Sequence, residues 1–488
     1  MEFYRTVLAV AVTAALTALP DDAQTDERNR YNVLFIAIDD LRPELACYGV
    51  GYAQSPNLDR LASQGALFTR HYVQVPTCGA SRFALLTGRS PARSGVTGGN
   101  AAFYAGKSAL AAEQLPGGQT MPELFRRSGY RTVCIGKISH TPDGRVFAYN
   151  GKGEGRPELP HAWNDLPTPF GAWKRGWGIF FAYAGGRHRE DGMAHRDLME
   201  FAAEKDEDLP DGQLAAAAIE HLQRFKEGGQ RFFLGLGFFK PHLPFVATKQ
   251  DWEAFAGTDI PPPPAGKIDS PFWHGSGEFY KYDAPFDKTR PLAPSSQHRA
   301  RRAYLACVRY ADRQVGKVID ALDKLGLAEN TIVVVWGDHG WHLGEQQIWG
   351  KHSPFERAVR SVLMIRAPGV TSAGMKTPAL TESIDLYPTL VDLCRPGFSR
   401  TQHPLDGKSL RSILAGTSKS VRPAALSYWR SAVSVRSDRY RLVAKTSGKA
   451  AQPVELYDLA DDADSTKNLL RDRPDVVRRL MKYLPDRG

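Results

Sequence analysis

Five short apolar runs, each set between segments of helical periodicity, limit this chain to a narrow range of architectures. They cover residues 33–38, 131–135, 232–238, 331–336 and 362–365. A run that is apolar on both of its alternating faces belongs to a strand covered on both sides, as in a parallel sheet flanked by helices. Between the runs, residues 304–325 place apolar side chains at 304, 305, 308, 315, 318, 319, 322 and 325, with Gly326 as the stop. That spacing predicts a helix. Further helices are predicted over 213–225 and 57–66. The predicted fold class is therefore α/β, a sandwich around a large, mostly parallel sheet.

After Gly407 the pattern changes. Residues 424–430, 432–436, 439–444 and 453–458 read as short strands in series, and 473–484 as a terminal helix. They predict a small antiparallel sheet capped by one helix. A chain of 488 residues exceeds what one core usually holds, so a large domain over 24–407 and a smaller one over 408–488 are expected. Two stretches, 141–200 and 256–296, are rich in Gly, Pro and aromatic residues without periodicity. They read as long loops over the sheet, where substrate selection resides.

The first 23 residues read as a secretory leader. Arg5 precedes an apolar run over 7–18, and small residues and Pro20 follow. The run is too short to cross a bilayer about 30 Å thick, so export to the periplasm or outside is expected without stable membrane insertion. An uncleaved anchor is the alternative. The net charge is +10, and losing a leader with one basic and three acidic residues raises it by two. For an exported chain this favours an anionic saccharide over nucleic acid as partner. Five cysteines, at 47, 78, 134, 307 and 394, are too few and odd in number for a disulfide framework.

In an open α/β sheet, ligands sit beyond the carboxyl ends of the strands. Those ends carry polar groups of a consistent kind. Asp39-Asp40 follows the first run, Gly136-Lys137 with His140 the second, Lys240-Pro241-His242 the third, and Asp338-His339-Gly340 the fourth, with Lys351 shortly after. Crowded carboxylates imply a hard divalent cation, since unpaired they would repel or stay protonated. Lysines and histidines beside them suit an anionic substrate whose leaving oxygen must gain a proton.

The segment Cys78-Gly79-Ala80-Ser81-Arg82, continued by Leu86-Thr87-Gly88-Arg89, resembles the signature of the sulfatase family, C/S-x-P-x-R followed by L-T-G-R. The resemblance extends through Asp39-Asp40, Gly129-Tyr130-Arg131-Thr132 with Gly136-Lys137, Lys240-Pro241-His242, Asp338-His339-Gly340 and residues 382–390. The runs around Lys137–His140 and 338–345 are most similar to those of iduronate-2-sulfatases. The resemblance implies an alkaline phosphatase-like fold and hydrolysis of sulfate esters on a sugar. It implies that Cys78 is converted to formylglycine by a formylglycine-generating or an anaerobic sulfatase-maturating enzyme. It also implies Ca2+ held by Asp39, Asp40, Asp338, His339 and the converted Cys78. Arg82 would hold the formylglycine hydrate, Lys137 and Lys351 the sulfate, His242 would protonate the leaving oxygen, and His140 would serve sulfate release. Ala80 departs from the pattern, which has proline there, and puts maturation by some systems in question.

Two rival readings stay open. A phosphodiester or phosphonate hydrolase of the same superfamily would use a near-isosteric anion, and a non-catalytic glycan binder would keep only the basic cleft. Of the remaining polar residues, Trp341, His342 and Glu345 either line the pocket or pack beneath it. Lys240 reads as a supporting or substrate-contact residue, and Glu382 and Asp385 as helix anchors.

Overall fold

Alternation along the first strand explains why its sequence is apolar from Val33 to Ile38. In β1 (Asn32–Ile38), Leu34, Ile36 and Ile38 enter one hydrophobic core, while Val33, Phe35 and Ala37 enter another on the opposite face. Side chains on a strand point to opposite faces in turn, so a strand buried on both faces can spare no position for a polar residue. The computed structural model describes residues 31–149, 151–190, 195–264, 276–283, 289–446 and 450–485. The leader expected over 1–23 lies outside the described residues.

The large sheet comprises β1 with β2 (Ala66–Tyr72), β3 (Arg131–Gly136), β4 (Phe232–Phe238), β5 (Thr331–Gly337), β6 (Arg360–Ser361), β7 (Leu363–Arg366) and β8 (Met375–Glu382). Read across, the order is β8, β2, β6 with β7, β5, β1, β4, β3. Strands β3, β4, β1 and β5 are mutually parallel, and β8 is parallel to β2. The run at 362–365 was expected to be parallel as well; β7 instead runs antiparallel to both β5 and β2. The chain between β5 and β7 stays near the carboxyl end of β5 and includes no long crossover helix, so it re-enters the sheet in the reverse sense.

One face is covered by α1 (Pro56–Gln64), with α4 (Pro210–Gly228) and α5 (Pro294–Lys324), the other by α2 (Cys78–Thr87), α3 (Met121–Arg127) and α6 (Leu386–Cys394). Helix α5 starts ten residues before its apolar pattern, because its first turns are polar. Beyond the main sheet, β9 (Ala425–Trp429), β10 (Ala432–Arg436), β11 (Tyr440–Lys445) and β12 (Gln452–Asp458) form the expected antiparallel meander. Helix α7 (Pro474–Met481) buries Val476 and Leu480 against Val435, Leu442 and Leu456. Among the described residues, no helix is long and apolar enough to cross a membrane.

Candidate active site

The carboxyl ends of β1, β3, β4 and β5 converge, as the strand order requires, and the predicted site residues meet there. Two consecutive aspartates would point to opposite faces if β1 simply continued. Asp40 instead takes a left-handed conformation (φ 62°), held by its N–H on Asp338 Oδ1 at 2.9 Å and by Tyr304 donating to its carbonyl at 2.8 Å. The turn brings both carboxylates to one place, and both are buried.

Cys78 opens α2, a ten-residue helix buried along its whole length. Its sulfur lies 3.4 Å from Asp39 Oδ1, 3.3 Å from His339 Nε2 and 3.5 Å from Lys351 Nζ. Burial and the Asp39 carboxylate push the thiol well above its ordinary range. An unmodified Cys78 is therefore a protonated, poor nucleophile. The helix approaches so closely that a Cβ on Gly79 would stand 2.4 Å from the Asn100 backbone, and the Asn100 amide oxygen accepts from the Gly79 N–H at 3.0 Å.

Arg82, four residues on, faces the same side of the helix. It is fully buried, bonds Asp338 Oδ2 through Nε at 3.1 Å, and donates through Nη1 to the carbonyls of Lys137 and Ile138. Lys137 reaches Asp39 Oδ2 at 2.5 Å and lies 4.1 Å above the Phe180 ring. Lys351 sits 2.9 Å from Asp40 Oδ1. His140 is buried beside Trp177, and its Nδ1 has no hydrogen-bond partner.

Asp39, Cys78, Asp338 and His339 each offer a ligand atom within 4.8 Å of the others, and Asp40 joins Cys78 and His242 in an adjoining group. Three features fit these residues to a hard cation. Asp40 Oδ2 is buried without a hydrogen-bond partner. Burial pushes the Asp40 carboxyl up to about 7, although Lys351 and His339 oppose the shift. The third is the orientation of His339: Nδ1 faces the Gly340 carbonyl at 3.0 Å, which leaves Nε2 3.5 Å from oxygens of both Asp40 and Asp338. A carbonyl partner on Nδ1 is the usual support of a metal-binding imidazole, and it turns Nε2 toward the space between the two carboxylates. Oxygen donors in this number suit Ca2+ or Mg2+ better than a softer metal.

The pocket over this cluster encloses about 770 Å³. Both unpatterned loops line it: Tyr149, Trp177, Phe181 and Arg189 come from the first, Glu278 and Tyr280 from the second. Glu278 carried no signal in the sequence, since it stands outside any strand end or recognisable pattern. Its carboxylate lies 3.1 Å from His242 Nε2 and 3.2 Å from Lys351 Nζ.

Glu345 pairs with Arg42 at 2.9 Å, His342 Nε2 contacts Ser353 at 2.8 Å, and all of Trp341, His342 and Glu345 are buried beneath the pocket rather than lining it. Lys240 donates to the carbonyls of His242 and Pro244 at 3.0 and 2.6 Å, so it shapes the His242 loop. Asp385 accepts from the Glu382 N–H at 2.8 Å ahead of α6, as expected of an anchor. All five cysteines are free; Cys134, Cys307 and Cys394 are core residues, whereas Cys47 is half-exposed.

A family model described as sulfatase matches residues 31–395. The chain belongs to the sulfatase family. It is an enzyme that hydrolyses sulfate esters. A second model, described as the C-terminal part of N-sulphoglucosamine sulphohydrolase, matches residues 344–486. This sulfatase is 30% identical to iduronate 2-sulfatase of Mus musculus over 429 residues, 76% of this chain and 73% of that protein. It is likewise 30% identical to a sulfatase of Formosa agariphila over 455 residues, 91% of this chain and 83% of the other. Among solved structures, the phosphonate monoester hydrolase of Silicibacter pomeroyi superposes with TM-score 0.71 at 22% identity, covering 93% and 96% of the two chains. An enzyme solved in complex with its substrate D-glucosamine-2-N,6-O-disulfate gives 0.69 at 21%, with the same coverage. At such identities the structural likenesses establish the alkaline phosphatase-like fold.

Proposed function

We propose that this sulfatase removes a 2-O-sulfate from iduronate in heparan or dermatan fragments, using formylglycine made from Cys78. The observation that carries the mechanism is the convergence on position 78 of a carboxylate, an imidazole and the Lys351 ammonium at the buried start of a helix, with Lys137 on the same carboxylate. The likeness to iduronate 2-sulfatases supports the substrate. Sulfated algal polysaccharides are the alternative. The leader pattern supports export of the mature enzyme, and the basic charge supports an anionic saccharide as its partner.

Asp39, Asp40, Asp338, His339 and the oxygen at position 78 would hold the cation, Ca2+ in this reading, which supplies positive charge beside the sulfate. A formylglycine hydrate at 78 would supply two hydroxyls on one carbon: one for the bond to sulfur, its proton passing to Asp338, and a second whose proton loss would break the bond to the sulfated oxygen, release sulfate and restore the aldehyde. Around it, the chain's own groups divide the work. Arg82, locked by Asp338 and by the Lys137 and Ile138 carbonyls, holds the helix start and the residue at 78 in place. Lys137 and Lys351, poised on Asp39 and Asp40, meet the sulfate oxygens. His242 gives a proton to the departing sugar oxygen, and His140 takes one from the second hydroxyl.

Peptide mass spectrometry across residue 78, on protein co-expressed with a maturating enzyme, is expected to show a residue about 18 Da lighter than cysteine. The same preparation should release sulfate from a 2-O-sulfated heparin disaccharide, and Cys78→Ala should abolish release. Unmodified cysteine in fully active enzyme would overturn the mechanism. A phosphodiesterase rate far above the sulfatase rate would overturn the substrate class.

A further inference from the structure

We propose that Glu278 is a positioning residue of the leaving-group step, tying the His242 imidazole and the Lys351 ammonium into one unit that faces position 78. One carboxylate oxygen lies 3.1 Å from His242 Nε2 and the other 3.2 Å from Lys351 Nζ. A carboxylate is rigid, so gripping both partners fixes their separation. The inference rests on the reading of His242 as proton donor.

The rest of the imidazole's surroundings leave little freedom. Nδ1 sits 2.6 Å from the Leu243 carbonyl, an acceptor only, so Nδ1 carries a proton that is already spent. Nε2 is then the one ring nitrogen able to serve substrate, and it stands 3.9 Å from Asp40 Oδ2. The ring packs 4.5 Å from the Phe180 ring. Lys351, at the other end of the carboxylate, is shared with Asp40 and lies 3.5 Å from the Cys78 sulfur. Glu278 thus couples the donor of the leaving-group proton to a cation at the nucleophile.

Glu278 is itself held firmly. Its neighbour Phe279 packs 5.1 Å from Trp349, and Asp283 donates its N–H to the Arg196 carbonyl at 2.8 Å. Its side chain is 19% exposed. Burial alone would raise this carboxyl, but Lys351 and His242 overcome that and hold it well below the ordinary range. A lone carboxylate in a pocket for an anion would oppose binding; here the Lys351 ammonium 3.2 Å away offsets its charge, and while burial and Lys351 lower the His242 imidazole, Glu278 favours the protonated form that the step needs. When substrate enters, the ester oxygen competes with Glu278 for the Nε2 proton. That proton passes to the oxygen as the sulfur–oxygen bond breaks, leaving His242 neutral, to be reprotonated from solvent.

The test compares two esters. An aryl sulfate with an acidic phenol, 4-nitrophenyl sulfate, departs without needing a proton; a 2-O-sulfated heparin disaccharide does not. For Glu278→Gln, the ratio of kcat on the disaccharide to kcat on the aryl ester is expected to fall on the order of 10- to 100-fold, within the usual reach of acid catalysis. KM for the disaccharide should not rise, and Glu278→Asp should recover part of the ratio. His242→Gln should show the same selective loss. If His242→Gln is selective and both Glu278 variants lose equally on the two esters, the positioning role falls alone. If His242→Gln loses equally on both, the donor reading falls and takes the inference with it. Formylglycine content and melting temperature are measured for every variant, and Glu278→Asp is read by the same criteria should Glu278→Gln not fold.

Discussion

His140 is the residue on which release of sulfate should turn, and its surroundings fix the direction of its pH dependence. Burial and the Lys137 ammonium hold the imidazole well below its ordinary value of 6.5. A base works in its neutral form, so this step is intact above the depressed value and is lost only as pH falls through it. The acid limb of kcat is therefore expected below pH 6.5, and a limb centred at or above 7 would remove His140 from the step. His140→Gln should also give a burst of one equivalent of alcohol without matching sulfate, read by rapid-quench kinetics. Such residues were legible because each follows a strand or opens a recognisable pattern. Glu278 was not, because its role comes from where an unpatterned loop is laid down, and no local spacing encodes that.

Single elements deliver these side chains, and β3 does so through a glycine. Gly136 has φ +73° where the strand ends, and a Cβ there would stand 2.1 Å from the Gly237 carbonyl oxygen of the neighbouring strand. The positive φ turns the chain so that Lys137 enters the site. Gly136→Ala is expected to cost about 1–3 kcal/mol from the backbone conformation alone, and more from the contact with β4. Denaturant unfolding should show that loss, and KM for the sulfate ester should rise as Lys137 shifts. A variant with native stability would show that the turn tolerates a side chain. The central strands could be read from sequence because burial on both faces leaves a continuous apolar run. Strand β2 breaks that pattern with Thr69, Arg70 and His71, and β8 has Pro378 where its register against β2 slips. The edge strand β8 tolerates its proline, and in β2, paired on both sides, Thr69 and His71 bond to Thr377, Thr381 and Ser383; neither strand carries a signal that separates it from a loop.

Across the whole molecule the two proposed pieces, 24–407 and 408–488, are bound by buried charge. Arg441 and Arg436 reach Glu356, and Arg422 reaches Glu382 and Asp385. The divide proposed from the change of strand pattern is therefore not a loose joint. The centre of the large piece poses a sharper electrostatic problem. Asp39 and Asp40 follow β1, Asp338 follows β5, and Cys78 opens a helix on one face, so a bound cation would clamp adjacent strands to that helix. The unfolded chain cannot assemble this set, and binding to the native state alone stabilises by mass action, about 2.7 kcal/mol at a cation concentration 100 times Kd. Ca2+ is accordingly expected to raise the melting temperature of chelator-treated protein by several degrees in calorimetry. Asp338→Asn should lose most of that increment, because it removes a carboxylate charge while leaving the shape of the site. Cys78→Ala should keep much of it, since the four other donors remain while turnover is gone. A melting temperature indifferent to Ca2+ and Mg2+ in the wild-type protein would mean that Lys137, Lys351 and Arg82 alone neutralise the three aspartates.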